Sequence, residues 1–264
     1  MKAIILAAGK GQRLKQYADG LPKGMLSFAG QPLIERQLQT LRGVGIDDIT
    51  IIRGYEREKI LFSGVKYYDN LNFNNTNMLA SLMCGSPEFT DDVLVCYADI
   101  LYEKRLIKQL VAETKNDDFV VLADVDWKNY WEMRYGTINY DIESFKLDEG
   151  LRITEIGQDC SNPAEIDARY IGLLKFSQKG ILLAKCLYED AIQNNGGNQW
   201  GNIPRSPQRA FMTDLFQILI LHGESVKASL VKGGWIEFDT NKDYEFLSQL
   251  YNNGKLDRLI DLNK

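Results

Sequence analysis

Histidine is almost missing from this chain of 264 residues: His222 is the only one. That excludes a zinc site built on several histidines and the two-histidine motif of zinc proteases. Cysteine is scarce too. Cys84, Cys96, Cys160 and Cys186 stand far apart with no Cys-x-x-Cys pair, which argues against a structural zinc site or a thioredoxin-like redox centre. Three of the four lie in apolar stretches, as expected of buried reduced thiols in a cytosolic protein. No stretch approaches the ~20 apolar residues of a membrane span. The apolar run at the N-terminus is short and meets a glycine-rich loop at once, unlike a signal peptide. A cytoplasmic protein without a membrane partner is therefore expected. There is no G-x-G-x-x-G and no Gly-Lys-Ser/Thr loop, so the common dinucleotide and Walker signatures are absent. Basic residues are also in deficit: 31 Lys+Arg face 36 Asp+Glu, a formal net charge of −5. The broad positive field of a nucleic-acid binder is lacking, and no nucleic-acid partner is expected.

What is present is an ordinary globular composition, 45% hydrophobic and 25% charged, on a length that suits one large domain or one with an appended lobe. Lys2 to Ala8 is a continuous apolar run, the mark of a strand buried on both faces. Leu33, Ile34, Leu38 and Leu41 have helical spacing behind Pro32. Strand-like runs at 49–52, 65–68, 93–97 and 119–123 alternate with helical patterns at 55–61, 76–83 and 104–111. Such alternation implies crossover units and a mainly parallel sheet. From Trp127 the pattern changes to short β-like pieces at 136–140, 144–147, 153–156 and 170–176, which predicts an antiparallel insertion. Helices return at 179–191 and 213–221, strands at 226–231 and 235–238, and a closing helix at 241–251. Residues 193–208 are rich in Asn, Gly and Pro and form either a functional lid or a plain surface loop. One domain is expected over 1–264: a core over about 1–126, a lobe woven into it over about 127–240, and a closing helix and tail over 241–264.

The motif richest in chemistry is Leu6-Ala7-Ala8-Gly9-Lys10-Gly11-Gln12-Arg13-Leu14, followed by Pro22-Lys23. A buried strand delivers the chain to two glycines, whose backbone N–H groups phosphate oxygens can approach closely. Lys10, Arg13 and Lys23 add three cations at the carboxyl end of the first strand, where open α/β sheets bind ligands. Further on, Asp99 and Asp239 each follow a buried strand. Each reads either as a helix N-cap or as a carboxylate free for a metal; Thr240 could itself be the later cap. The polar loop 72–77 precedes an apolar helix, with Asn77 and Ser81 one turn apart on one face. Asn77 is a candidate for reading a base or ribose, or simply a cap.

Leu6-Ala-Ala-Gly-x-Gly-x-Arg-Leu followed by Pro-Lys resembles the signature of the nucleotidyltransferases that activate phosphorylated sugars and alcohols with an NTP. Asn75-Thr76-Asn77-Met78, Tyr97-Ala98-Asp99-Ile100, Trp131-Glu132-Met133-Arg134, Tyr170-Ile171-Gly172-Leu173 and Gly233-Gly234-Trp235 resemble the phosphocholine cytidylyltransferase-like branch. The resemblance implies a Rossmann-like three-layer α/β fold with a mainly parallel mixed sheet and a smaller antiparallel lobe for the acceptor. It implies Mg2+ on Asp99 and Asp239, and nucleotide binding by Leu6, Ala7, Ala8, Gly9, Lys10, Gly11, Asn77 and Ser81. Lys23 would contact the α-phosphate and Arg13 the β- and γ-phosphates, since a guanidinium grips phosphate bidentately.

The expected partners are an NTP, with CTP favoured, and a small phosphorylated acceptor such as phosphocholine or aminoethylphosphonate. A CDP-linked product would serve a surface polysaccharide or lipid head group. Trp127, Tyr130, Trp131 and Tyr135 cluster closely enough to enclose a quaternary ammonium, or to pack as core. Arg134 and Lys175 would hold the acceptor phosphate, with Glu155 and Tyr170 beside it. Nucleotidyl transfer needs no imidazole, because a phosphate monoester is already a nucleophile at neutral pH. A sugar-1-phosphate enzyme using UTP, dTTP or GTP is the rival within the family; a non-catalytic nucleotide-binding module is the rival outside it.

Overall fold

The computed structural model describes residues 1–112, 117–194 and 199–263. In chain order its elements are β1 (Lys2–Ala7), β2 (Ser27–Phe28), β3 (Gln31–Pro32), α1 (Leu33–Arg42), β4 (Ile49–Arg53), β5 (Lys66–Asp69), α2 (Met78–Cys84), β6 (Val93–Tyr97), β7 (Ile100–Tyr102) and α3 (Lys104–Ala112). There follow β8 (Phe119–Asp124), α4 (Trp127–Tyr135), β9 (Glu143–Leu147), β10 (Ile153–Asp159), β11 (Arg169–Phe176), α5 (Gln178–Asn194), α6 (Met212–Leu221), β12 (Val226–Val231), β13 (Trp235–Glu237) and α7 (Asn241–Asn252).

Seven strands form the main sheet in the order β12-β8-β11-β6-β1-β4-β5. All neighbours in it are parallel except β11, which runs antiparallel to both β6 and β8. Successive residues such as Ile4, Ile5, Ile51, Ile52, Leu94 and Val95 are fully buried. Helices therefore cover both faces of the sheet, which is why these strands read as unbroken apolar runs rather than alternating ones. From β1 the chain goes to β4 and β5 on one side and returns to β6 on the other. That reversal opens a crevice at the carboxyl ends of β1 and β6, the place where such sheets bind ligands.

Four expectations are corrected. Residues 127–135 are a helix, α4, and 136–140 carry no strand. The 170–176 segment belongs to β11 in the main sheet, so the separate antiparallel piece is only β9 with β10. Among the cysteines only Cys96 is buried; Cys84 and Cys160 are partly exposed and Cys186 is exposed. The 55–61 helix shrinks to a single 3-10 turn at Arg57–Lys59. Of the 193–208 loop, residues 195–198 lie outside the described residues, while Pro207–Arg209 form a 3-10 turn. No helix among the described residues is long and apolar enough to cross a membrane.

Candidate active site

The crevice holds a cavity of about 360 Å³ lined by residues 6–9 and 11–13, Lys23, Asp99, Asp239 and the start of α2. Its first wall is the turn leaving β1. Gly11 has φ 61°, and a Cβ there would also lie 3.0 Å from the Lys23 Cβ. Glycine is therefore required twice, for the backbone conformation and for the approach of Lys23. Gly24 plays the matching part: a Cβ there would collide with Ile34 and Ala98. The Lys23 turn can thus lie flat against the residue preceding Asp99.

Asp99 and Asp239 are 140 positions apart, and a two-stranded ribbon joins them. β13 pairs antiparallel with β7, with Glu237 opposite Ile100. Just beyond that pairing the Phe238 N–H donates to the Asp99 carbonyl at 2.9 Å. Each strand then delivers its aspartate at the same edge. Buried Gln37 of α1 steadies the Asp99 turn, its Nε2 donating to the carbonyls of Tyr97 at 2.8 Å and Ile100 at 2.6 Å. Neither aspartate caps a helix: β7 separates Asp99 from α3, and Thr240 is the N-cap of α7.

The Lys23 ammonium donates to Asp99 Oδ2 at 2.5 Å and Asp239 Oδ1 at 2.8 Å. Arg13 pairs with the other oxygen of Asp239 at 2.7 Å. Burial opposes a charge on Lys23, but Asp99 and Asp239 outweigh it and hold the ammonium charged well above its usual range. Burial pushes the Asp99 carboxyl up; Lys23 pulls against this, and nearby Glu237 adds to it. Asp99 Oδ1 is buried and has no hydrogen-bond partner. An unpartnered buried carboxylate oxygen wants a cation. Two carboxylates with hard oxygens suit Mg2+, which takes one or two of them and completes its shell with water and substrate phosphates. Among the described residues no group of three or more His, Cys, Asp or Glu is placed to hold a metal ion together, so substrate oxygens would have to supply the rest.

The opposite wall is Phe73, Thr76, Asn77, Met78 and Ser81. Asn77 is the N-cap of α2. Ser81 is buried, donating to the Asn77 carbonyl at 3.3 Å and accepting from buried Asn70 at 2.9 Å. Lys10 is not part of the lining; its ammonium lies 5.8 and 5.7 Å from the ring centres of Tyr55 and Phe73. Gln37, Gly24 and Phe73 escaped the sequence reading. Phe73 had a visible signal, its place in the 72–77 loop before α2.

The five expected acceptor residues scatter. The Tyr170 hydroxyl donates at 2.8 Å to that of Tyr97 at the end of β6. Glu155 lies on β10 and pairs with Lys146 at 3.1 Å. Lys175 is paired in register with Leu94 and Val120, at the end of the sheet opposite the cleft, and its ammonium meets Asp92 at 3.1 Å. It cannot reach an acceptor in the crevice. Trp131 is 1% exposed, and its indole N–H donates to the Tyr140 carbonyl. The cations over its ring are the chain's own: the Arg169 guanidinium at 4.7 Å and that of Arg134 at 5.4 Å. Arg134 is equally committed, forked onto Asp243 at 2.7 and 2.8 Å and bonded to Glu237 at 2.6 Å. The expected ammonium cage and phosphate ligand are therefore a packed internal cluster, because the buried guanidinium takes both the aromatic faces and the carboxylates.

Comparison with known proteins agrees with this architecture. Residues 3–152 match the family model described as the MobA-like NTP transferase domain. The CTP:phosphoglutamine cytidylyltransferase of Campylobacter jejuni is 29% identical over 261 residues, 93% of this chain and 98% of the relative. The choline-phosphate cytidylyltransferase of Streptococcus pneumoniae is 33% identical over 152 residues, 56% of this chain and 64% of that protein. Among solved structures, the CTP:phosphocholine cytidylyltransferase of S. pneumoniae superposes with a TM-score of 0.73 at 20% identity, covering 95% of this chain and 98% of that one. At that identity the likeness is one of fold.

Proposed function

Because this chain belongs to the MobA-like NTP transferase domain family, it is a nucleotidyltransferase, and we propose that it transfers CMP from CTP to a small phosphorylated acceptor. An oxygen of the acceptor phosphate attacks the α-phosphorus of CTP and forms the new P–O–P bond. The bond from the α-phosphorus to the bridging oxygen breaks, and pyrophosphate leaves with the electron pair. The observation that carries this reading is the single ammonium of Lys23 held between Asp99 and Asp239 at the crevice, with Arg13 alongside.

Each residue then has a task. The N–H groups around Gly9 and Gly11 receive phosphate oxygens. Arg13 moves from Asp239 to the β- and γ-phosphates, and Lys23 holds the α-phosphate as its charge shifts to the leaving group. Asn77 and Ser81 face the nucleoside. Asp99 and Asp239 would hold Mg2+, which when bound would supply neutralising positive charge beside the nucleotide phosphates. Both cytidylyltransferases above support CTP, and their names place phosphoglutamine and phosphocholine among the acceptors of relatives. Since Trp131 already faces arginines, the acceptor is proposed here by its phosphate, not by a quaternary ammonium.

The test is pyrophosphate release from CTP and MgCl2 with phosphocholine, aminoethylphosphonate or phosphoglutamine. Release should require an acceptor, and Asp99→Asn or Asp239→Asn should slow it about 100-fold or more. Release at the same rate without any acceptor, or with either carboxylate removed, would refute the assignment.

A further inference from the structure

Asp239 does not stand alone on its turn. Its backbone N–H donates to Asp243 Oδ2 at 3.0 Å, and the Thr240 N–H donates to the same oxygen at 2.7 Å. Asp243 in turn receives the fork of Arg134, with Nε on Oδ1 at 2.7 Å and Nη2 on Oδ2 at 2.8 Å. Both side chains are almost wholly buried, 1% and 2% exposed. The remaining Arg134 donor holds Glu237 at 2.6 Å. Glu237 lies two residues before Asp239, so Arg134 is bonded on both sides of that aspartate in the sequence. The rings of Tyr130, Trp131 and Tyr135 surround the guanidinium at 5.7, 5.4 and 4.7 Å, which fixes its plane.

We propose that Arg134 and Asp243 are positioning residues that set the Asp239 carboxylate for the metal–nucleotide complex. The proposal rests on the reading of Asp239 as a metal ligand. A buried ion pair of this kind is weak evidence for stability by itself. Its value here is geometric: two backbone N–H groups and one carboxylate beside the cleft are aimed by a single rigid fork. At the same edge Asp99 Oδ1 is buried and lacks a hydrogen-bond partner, so a cation is wanted beside Asp239. Outer partners that orient a metal ligand typically account for 10- to 100-fold in metal affinity.

The experiment measures Mn2+ affinity by electron paramagnetic resonance in the presence of CTP, for wild type, Arg134→Lys, Asp243→Asn and Asp239→Asn. Metal-free CTP affinity is measured in parallel by calorimetry with a chelator. Asp243→Asn keeps a side-chain oxygen for the N–H groups of Asp239 and Thr240, so it retains the helix cap. Both positioning variants should weaken Mn2+ binding about tenfold or more, with metal-free CTP affinity changed less than twofold. Unchanged Mn2+ affinity in both variants overturns the proposal. So does an equal loss of metal-free CTP affinity, since that is what general loosening would produce. If Asp239→Asn itself binds Mn2+ like wild type, the metal assignment fails instead.

Discussion

A lysine ammonium shared by two carboxylates, and a third carboxylate shared by two lysines, are two of the charged knots of this molecule. The first is Lys23 with Asp99 and Asp239; the second is buried Glu88, which accepts from Lys2 at 2.7 Å, Lys66 at 2.9 Å and the Tyr68 hydroxyl at 3.0 Å. Burial of Glu88 disfavours its charge, but Lys2, Lys66 and Tyr68 win and bring its carboxyl down to about 2 from the usual 4.5. A folded-state pKa below the unfolded one stabilises the fold above the unfolded pKa, and the benefit disappears as pH falls through the folded value. Glu88→Gln should therefore be less stable than wild type by roughly 2 kcal/mol at pH 7. The gap should close between about pH 5 and pH 2. Thermal melts of both proteins across that range check it; a gap independent of pH would show that the carboxylate is not the source.

At the scale of elements, the strands and helices that alternate regularly were legible, because burial on both faces leaves continuous apolar runs. The turn that lines the cleft was legible because Leu6, Gly9, Gly11, Arg13 and Lys23 lie within a short span of chain. Helix α4 was not. Its buried residues Trp127, Tyr130, Trp131 and Arg134 do have helical spacing, but Arg134 puts a charge on the inner face and Met133 an apolar side chain on the outer one, so the hydropathy pattern is blurred. Nor could spacing reveal that β11 inserts between β6 and β8, or that β13 finds β7 and carries Asp239 to Asp99. Those pairings are long-range and come from tertiary packing. The aromatic residues of α4 look like a ligand cage in sequence only because their true occupant, Arg134, is one of their own neighbours. Trp131→Ala should accordingly cost about 3–5 kcal/mol of stability, as for a large buried aromatic. Chemical denaturation measures this directly. A fully stable variant with a selective loss of acceptor affinity would restore the cage.

At the scale of the whole molecule, an excess of acidic residues is compatible with the proposed phosphate site because the cations are concentrated. Arg13 and Lys23 reach the edge where β1 and β6 diverge, and the two carboxylates they balance are those proposed to pass to a metal. The scarcity of histidine excludes several chemistries but not this one, which needs no imidazole. Nucleotide choice is the sharpest point of the account, since the Gly9–Arg13 turn is proposed to bind phosphates common to every NTP. The most direct measurement is pyrophosphate release from CTP, UTP, dTTP, GTP and ATP in turn, with Mg2+ and both alcohol-type and sugar-1-phosphate acceptors. The account predicts turnover with CTP and a small phosphorylated acceptor, abolished by chelating the metal. Turnover of dTTP with glucose-1-phosphate, and none of CTP, would contradict it.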